Sequence, residues 1–282
     1  MSALEKLRRG DLRIENFGRS AYLVSSLAHY GVRALLLRPT KRDKAYVAAE
    51  YGNERDEYWK RSADYSLDDY IYGDSQTVAW KLLDGEVRKG TDLEVRERLM
   101  RKLRERIEQY SKPGDLVVEV GAGTGRNLAF LSHELPDRRY VGLELTERSV
   151  RDASRMLASF GLPAQMRVAD ITQPLPLESK PAVVFSVLAL EQLPGTVSRD
   201  ALQQIAKAGA RALVSFEPIR EAYPYSLRGL ASRLRLYRAD YVKGLPAHCK
   251  ALGFDVVALA RLGIGHHALN EIVELVVEFG AR

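Results

Sequence analysis

The stretch from Val117 to Asn127, VVEVGAGTGRN, restricts the fold more than any other part of the chain. A β-branched apolar run leads into Gly121, Gly123 and Gly125, and a helix-compatible segment follows. Glycines at alternate positions suit a tight turn that side chains rarely tolerate, and they let backbone approach a ligand closely. Strand, glycine turn and helix in that order open a βαβ unit, where ligands bind at the carboxyl edge of a parallel sheet.

The alternation continues downstream. Apolar runs predict strands at 116–120, 140–145, 164–168, 182–187 and 212–216, with helices after Arg126, from the cap Thr146 and from Ser198 between them. A helix at 241–252 precedes two further strands, 254–262 and 272–279. Their connection, 263–270, is too short for a crossover helix, so these two strands should pair antiparallel. The expected fold is therefore α/β: a seven-stranded, mostly parallel, doubly wound sheet with an antiparallel last strand. A mainly helical N-terminal extension or lid, 1–111, should precede a core domain, 112–282, that carries an insertion at 219–240.

Within the extension, Val95, Leu99, Leu103 and Ile107 recur four apart among charges, an amphipathic helix at 91–110 ending at the turn Pro113-Gly114-Asp115. Residues 22–37 are helical in pattern, and the region 46–80 is rich in aromatics, among them Tyr51, Tyr58, Trp59, Tyr70, Tyr72 and Trp80.

Composition removes several alternatives. The lone Cys249 forms no internal disulfide and has no neighbours at metal-ligand spacing, so no metal site is expected and a reducing cytoplasm is the natural compartment. The first 20 residues lack an apolar run of signal-peptide type, and the apolar segment 21–37 is broken by His29 and Arg33, so no membrane span is expected. Residues 1–62 hold 13 Lys/Arg against 8 Asp/Glu, nearly all of the net charge of +6. The cluster Lys41, Arg42 and Lys44 is either a solvated face or a docking surface for an acidic partner.

The glycine spacing departs from the dinucleotide fingerprint, because Arg126 stands where its third glycine would fall. Glu119-Val120-Gly121-Ala122-Gly123-Thr124-Gly125 instead resembles motif I of the class I S-adenosylmethionine-dependent methyltransferases, of the small-molecule type. The resemblance extends over 112–282 and implies S-adenosylmethionine as cofactor, with S-adenosylhomocysteine as product. It places Glu119, Gly121, Ala122, Gly123 and Asn127 around the glycine turn and Glu144 and Leu145 at the second strand end, the carboxylate on the ribose hydroxyls. It assigns Asp170 to the adenine amino group, Ile171 to the adenine ring, and Ser186 and Val187 to the segment that faces the methyl group.

The acceptor is read from other features. Base candidates near the strand ends and the late hairpin are Glu191, Glu217, His266 and His267; the family's frequent Glu-His after the fourth strand is Glu191-Gln192 here. That strand also lacks the Asn/Asp-Pro-Pro-aromatic segment of base-amine methylation. The insertion sets Leu227, Leu230, Leu234 and Tyr237 on one helical face and arginines on others, so Arg228 and Arg235, with Tyr70 and Tyr72, are expected to line a substrate lid. The expected function is methylation of oxygen or nitrogen on a small, anionic metabolite. Methylation of RNA or protein docked on the basic N-terminal region is the alternative, and an aminopropyltransferase-like or non-catalytic relative is a third.

Overall fold

The structure is a computed structural model, which describes residues 18–37, 65–73, 77–193, 198–241 and 243–280. Its centre is a seven-stranded sheet of order β5-β4-β3-β6-β7-β9-β8. The strands are β3 (Leu116–Val120), β4 (Arg139–Glu144), β5 (Gln165–Val168), β6 (Val183–Val187), β7 (Ala212–Glu217), β8 (Asp255–Arg261) and β9 (Val273–Glu278). Strands β3 to β7 pair in parallel, whereas β9 runs antiparallel to both β7 and β8. The short 263–270 connection thus has the expected effect, and it also threads the last strand between its two neighbours.

Helices cover both faces: α3 (Asp92–Tyr110), α4 (Arg126–Glu134), α5 (Glu147–Ser159), α6 (Ser198–Lys207), α7 (Leu227–Ala239) and α8 (Leu245–Ala251). Period-two alternation divides the strands between two cores. Val117, Phe185 and Phe216 pack with Leu99, Leu103, Leu128 and Leu157 on one side, while Val118, Val184 and Leu213 pack with Leu202, Ile205 and Cys249 on the other. Helix α3 starts at a capping box, Thr91 with Glu94, and its stripe Val95, Leu99, Leu103 and Ile107 is fully buried, as its spacing requires.

The N-terminal part contains α1 (Arg19–Leu36) and α2 (Leu67–Tyr72), and also a feature the sequence reading did not anticipate. Strands β1 (Ala79–Leu83) and β2 (Glu86–Gly90) form a hairpin whose two-residue turn, Asp84-Gly85, takes positive φ at both positions. The hairpin docks on the β8–β9 connection: Leu82 and Gly265 exchange backbone hydrogen bonds of 3.1 and 2.9 Å, and Gly85 N–H donates to the Gly263 carbonyl at 2.9 Å. The cluster Lys41, Arg42 and Lys44 and the aromatics Tyr51, Tyr58 and Trp59 lie outside the described residues.

The insertion is helical, yet the face it buries is not the leucine face. Gly229, Ala231, Ser232 and Leu236 are buried, while Leu227, Leu230 and Tyr237 stay exposed. Close approach explains this: a Cβ at Gly229 would sit 1.9 Å from the Pro224 carbonyl oxygen, so only the small-residue side fits against the chain leading into the helix. Helix α7 packs along α1 rather than over the sheet edge, with Arg235 donating to the Tyr30 hydroxyl at 2.6 Å and Arg238 to the Leu37 carbonyl at 2.8 Å.

Candidate active site

A cavity of about 530 Å³ opens at the carboxyl ends of β3 to β6. The glycine turn forms its floor, with Gly121, Gly123 and Gly125 all at positive φ. Two constraints make glycine necessary at 121: φ is +67°, and a Cβ would come within 2.4 Å of the Ala189 Cβ. The segment after β6 can therefore close directly onto the turn. Helix α4 starts at Gly125, so its amino terminus points at this floor.

Carboxylates shape the surrounding walls. Glu144 accepts from Gly123 N–H at 3.0 Å and from Thr146 N–H at 3.4 Å, which ties the end of β4 to the turn. Asp170 Oδ1 accepts from the Thr172 amide and hydroxyl at 3.0 and 2.7 Å, an Asx turn that fixes the loop after β5. Beneath the floor, Glu119 is fully buried and accepts from Asn127 Nδ2 at 2.5 Å; burial pushes its carboxyl up to about 8, against the opposing effect of that hydrogen bond.

Of the expected cofactor-binding residues, Gly121, Ala122, Gly123, Asn127, Glu144, Leu145, Asp170, Ile171 and Val187 line the cavity. Glu119 and Ser186 do not. Glu119 sits behind Asn127, and the Ser186 hydroxyl donates to Glu217 Oε1 at 2.5 Å.

The base candidates separate sharply. Glu217 is buried, and its carboxylate accepts from the Ala189, Leu190 and Glu191 amides at 3.1, 3.1 and 3.2 Å as well as from Ser186. Burial raises its carboxyl to about 7 while these four donors pull the other way. It is a clamp on the post-β6 segment and does not line the cavity. His267 is also misplaced for catalysis: its Nδ1 accepts from Leu269 N–H at 3.1 Å, its Nε2 meets the Tyr22 hydroxyl at 3.3 Å, and burial followed by the Arg235 and Lys81 charges lowers its pKa well below the ordinary value. Glu191 and His266 do line the cavity.

The expected substrate lid falls elsewhere. The Tyr70 hydroxyl donates to the Thr124 carbonyl and its ring packs on Phe160; Tyr72 meets Phe130 edge-on. These tyrosines hold α2 against the back of the glycine turn, helped by Arg126, which donates to the Tyr70 and Ile71 carbonyls at 2.6 and 3.0 Å. Arg228 pairs with the buried Glu271 at 3.1 Å and Arg235 with Tyr30, so neither cation reaches the cavity. A buried carboxylate and a neighbouring helix claim these arginines before any ligand does.

Sequence reasoning missed Arg96, Tyr241 and Asn270 among the lining residues. Arg96 looked like a solvated charge on an amphipathic helix, but its Nε donates to the Ile71 carbonyl at 3.0 Å. Asp92 lies at the start of the helix expected over 91–110, and its Oδ1 is 2.7 Å from His266 Nδ1 and 2.6 Å from Lys81 Nζ. The turn Asp84-Gly85 between two apolar runs is the signal that would have exposed the hairpin supplying Lys81.

Residues 117–211 match a family described as Methyltransferase domain. Over this segment the chain is similar to methyltransferase domains. Solved methyltransferases share this fold at low identity. A magnesium protoporphyrin IX methyltransferase from Synechocystis PCC 6803 aligns at TM-score 0.58 and 17% identity, over 84% of this chain and 100% of its own. Geranyl diphosphate C-methyltransferase from Streptomyces coelicolor A3(2) aligns at 0.51 and 11% identity, over 82% and 98%. A SAM-dependent methyltransferase from Aquifex aeolicus aligns at 0.50 and 12%, over 79% and 98%. None of the curated proteins compared with this chain matches its sequence. Among the described residues, no helix is long and apolar enough to cross a membrane.

Proposed function

We propose that the chain transfers the methyl group of S-adenosylmethionine to a small molecule bound in the same cavity. The observation that carries this reading is the convergence of the glycine turn, Glu144, Asp170 and Ile171 on one cavity whose volume suits a small-molecule ligand. The residues fit the donor chemically. Positive-φ glycines leave room for close backbone contact, two acidic strand ends offer acceptors to hydroxyl and amino groups, and Ile171 supplies an apolar surface for an aromatic ring. Asn127 lines the cavity from the first turn of α4, whose amino-terminal amides favour a carboxylate.

When bound, the donor supplies a methyl group already activated by its sulfonium. The protein's work is then to hold the acceptor in line and to exclude water. Leu188, Ala189 and Val187 line the cavity on the post-β6 segment, which the Glu217 clamp fixes in place. Glu191, Gln192, Tyr241, His266 and Asn270 add polar groups to the lining of the cavity. The solved relatives named for magnesium protoporphyrin IX and geranyl diphosphate support a small-molecule acceptor. An anionic acceptor has lost its main support, because Arg228 and Arg235 are engaged elsewhere.

Two measurements test the reading. Calorimetry with S-adenosylhomocysteine should show binding, and Glu144→Ala should weaken it by ~10–100-fold, the loss of charge-assisted hydrogen bonds worth about 1.5–3 kcal/mol. Incubation with methyl-labelled S-adenosylmethionine and separate small-molecule, RNA and protein fractions should label small molecules. Label confined to RNA or protein would replace the proposal with a macromolecular acceptor.

A further inference from the structure

The β1–β2 hairpin and the amino terminus of α3 bring three polar side chains together at the cavity wall. His266, in the β8–β9 connection, lines the cavity and places Nδ1 2.7 Å from Asp92 Oδ1. Asp92 is the first residue of α3, and Lys81 of β1, itself only 5% exposed, donates to the same oxygen at 2.6 Å. The register explains the placement. Val273 pairs with Glu217 at the carboxyl end of β7, so the chain entering β9 crosses the ligand-binding edge of the sheet. The exchange of backbone hydrogen bonds between Leu82 and Gly265 then fixes the hairpin beside it.

The chemistry of this arrangement is specific. The hydrogen bonds from His266 and Lys81 hold the Asp92 carboxyl at about 2, so it is an anion at neutral pH and acts only as an acceptor. A neutral His266 therefore carries its proton on Nδ1, the nitrogen that faces Asp92, and its Nε2 is left as a lone-pair acceptor. Among the described residues, Nε2 of His266 has no hydrogen-bond partner. The neighbouring His267 shows the opposite design, with both ring nitrogens engaged inside the fold.

We infer that His266 is the general base of the methyl transfer, that Asp92 positions it, and that the acceptor is a hydroxyl group. This rests on the methyltransferase reading of the same cavity and narrows its acceptor from oxygen or nitrogen to a group with a proton to lose. An unprotonated amine or a carboxylate would need no base, whereas a neutral alcohol, phenol or enol does. In the step, the acceptor oxygen forms a bond to the methyl carbon as the carbon–sulfur bond breaks, its electron pair staying on sulfur. The hydroxyl proton passes to Nε2 of His266. The single positive charge moves from sulfonium to imidazolium, where the Asp92 carboxylate meets it.

Two experiments on the full chain test this. In the first, the labelled-donor assay with the small-molecule fraction is run on wild type, His266→Gln and Asp92→Asn, beside S-adenosylhomocysteine calorimetry. His266→Gln should lose ~10²–10⁴-fold in transfer rate, Asp92→Asn should also lose rate, and both should keep wild-type affinity for S-adenosylhomocysteine. Transfer by His266→Gln at the wild-type rate, or label appearing only on amine nitrogen, would overturn the inference. The second reads the ring directly by long-range proton–nitrogen correlation in the 15N-labelled protein saturated with S-adenosylhomocysteine. His266 should show the Nδ1–H tautomer in wild type and lose that preference in Asp92→Asn. An Nε2–H tautomer in wild type would dismiss the base role whatever the assay shows. If S-adenosylhomocysteine binds and the tautomer is as stated but only macromolecules are labelled, the small-molecule reading fails and the base remains.

Discussion

At the scale of single residues, the site depends on atoms that are absent as much as on those present. Gly121 lets Ala189 approach so closely that a Cβ there would lie 2.4 Å from its neighbour's, with φ at +67°. Gly121→Ala should therefore destabilise the protein by more than about 2 kcal/mol, combining left-handed strain of about 1–2 kcal/mol with the overlap. Thermal unfolding would register a fall of roughly 4–8 °C. Adding Ala189→Gly should recover the overlap component and leave the strain. Carboxyls at the strand ends divide along a similar line: buried Glu217 with four donors is a structural clamp, whereas half-buried Glu144 combines its amide bonds with a place on the cavity wall.

At the scale of elements, α2 behaves as a cover held by few bonds. Arg126 grips the carbonyls of Tyr70 and Ile71, and hydrogen bonds from a charged donor contribute about 1.5–3 kcal/mol. Arg126→Ala should speed amide exchange at Tyr70 and Gly73 by ~10–100-fold, with β3 to β7 unchanged; equal acceleration in the sheet would mean that α2 is not a separate unit. The sheet and its helices were legible in the sequence because burial on both faces forces largely apolar runs such as 116–120, broken only by Glu119, and because Gly121 to Gly125 admit few other conformations. The cavity wall at the ends of β4 and β5 was legible for the same reason, since strand ends locate Glu144 and Asp170. The wall that holds His266 was not. His266 and His267 are identical neighbours in sequence, and only the docking of the hairpin on one side and Tyr22 on the other gives them different environments. Helix α7 misled because leucine spacing competes with shape, and at Gly229 shape prevails.

For the whole molecule, two buried acids supply one component of the way stability varies with pH. Glu119 titrates near 8 and Glu217 near 7, both above the ordinary carboxyl value of 4.5, so the folded state holds protons that the unfolded chain releases. Their contribution to stability is complete below about 4.5 and is lost as pH rises towards 7 and 8. His267 acts in the opposite sense. Its depressed pKa means that its contribution is present above the ordinary value of 6.5 and declines as pH falls below it. The wild-type profile mixes these effects, but the difference between wild type and Glu119→Gln isolates one of them. In the absence of ligand, the melting temperature of Glu119→Gln should fall less than that of wild type between pH 5 and pH 8, by differential scanning calorimetry. A parallel pair of profiles would place the raised titration elsewhere.

The partnership of His266 with Asp92 joins positions 174 residues apart, whereas the glycine turn and Glu144 are separated by only 21. A ribosome releasing this chain therefore delivers the whole donor half of the pocket long before the wall that handles the acceptor's proton. The ability to hold the methyl donor and the ability to use it thus arise at different moments of synthesis, and a truncated chain ending with β8 at Arg261 would retain the residues of the first without His266 of the second.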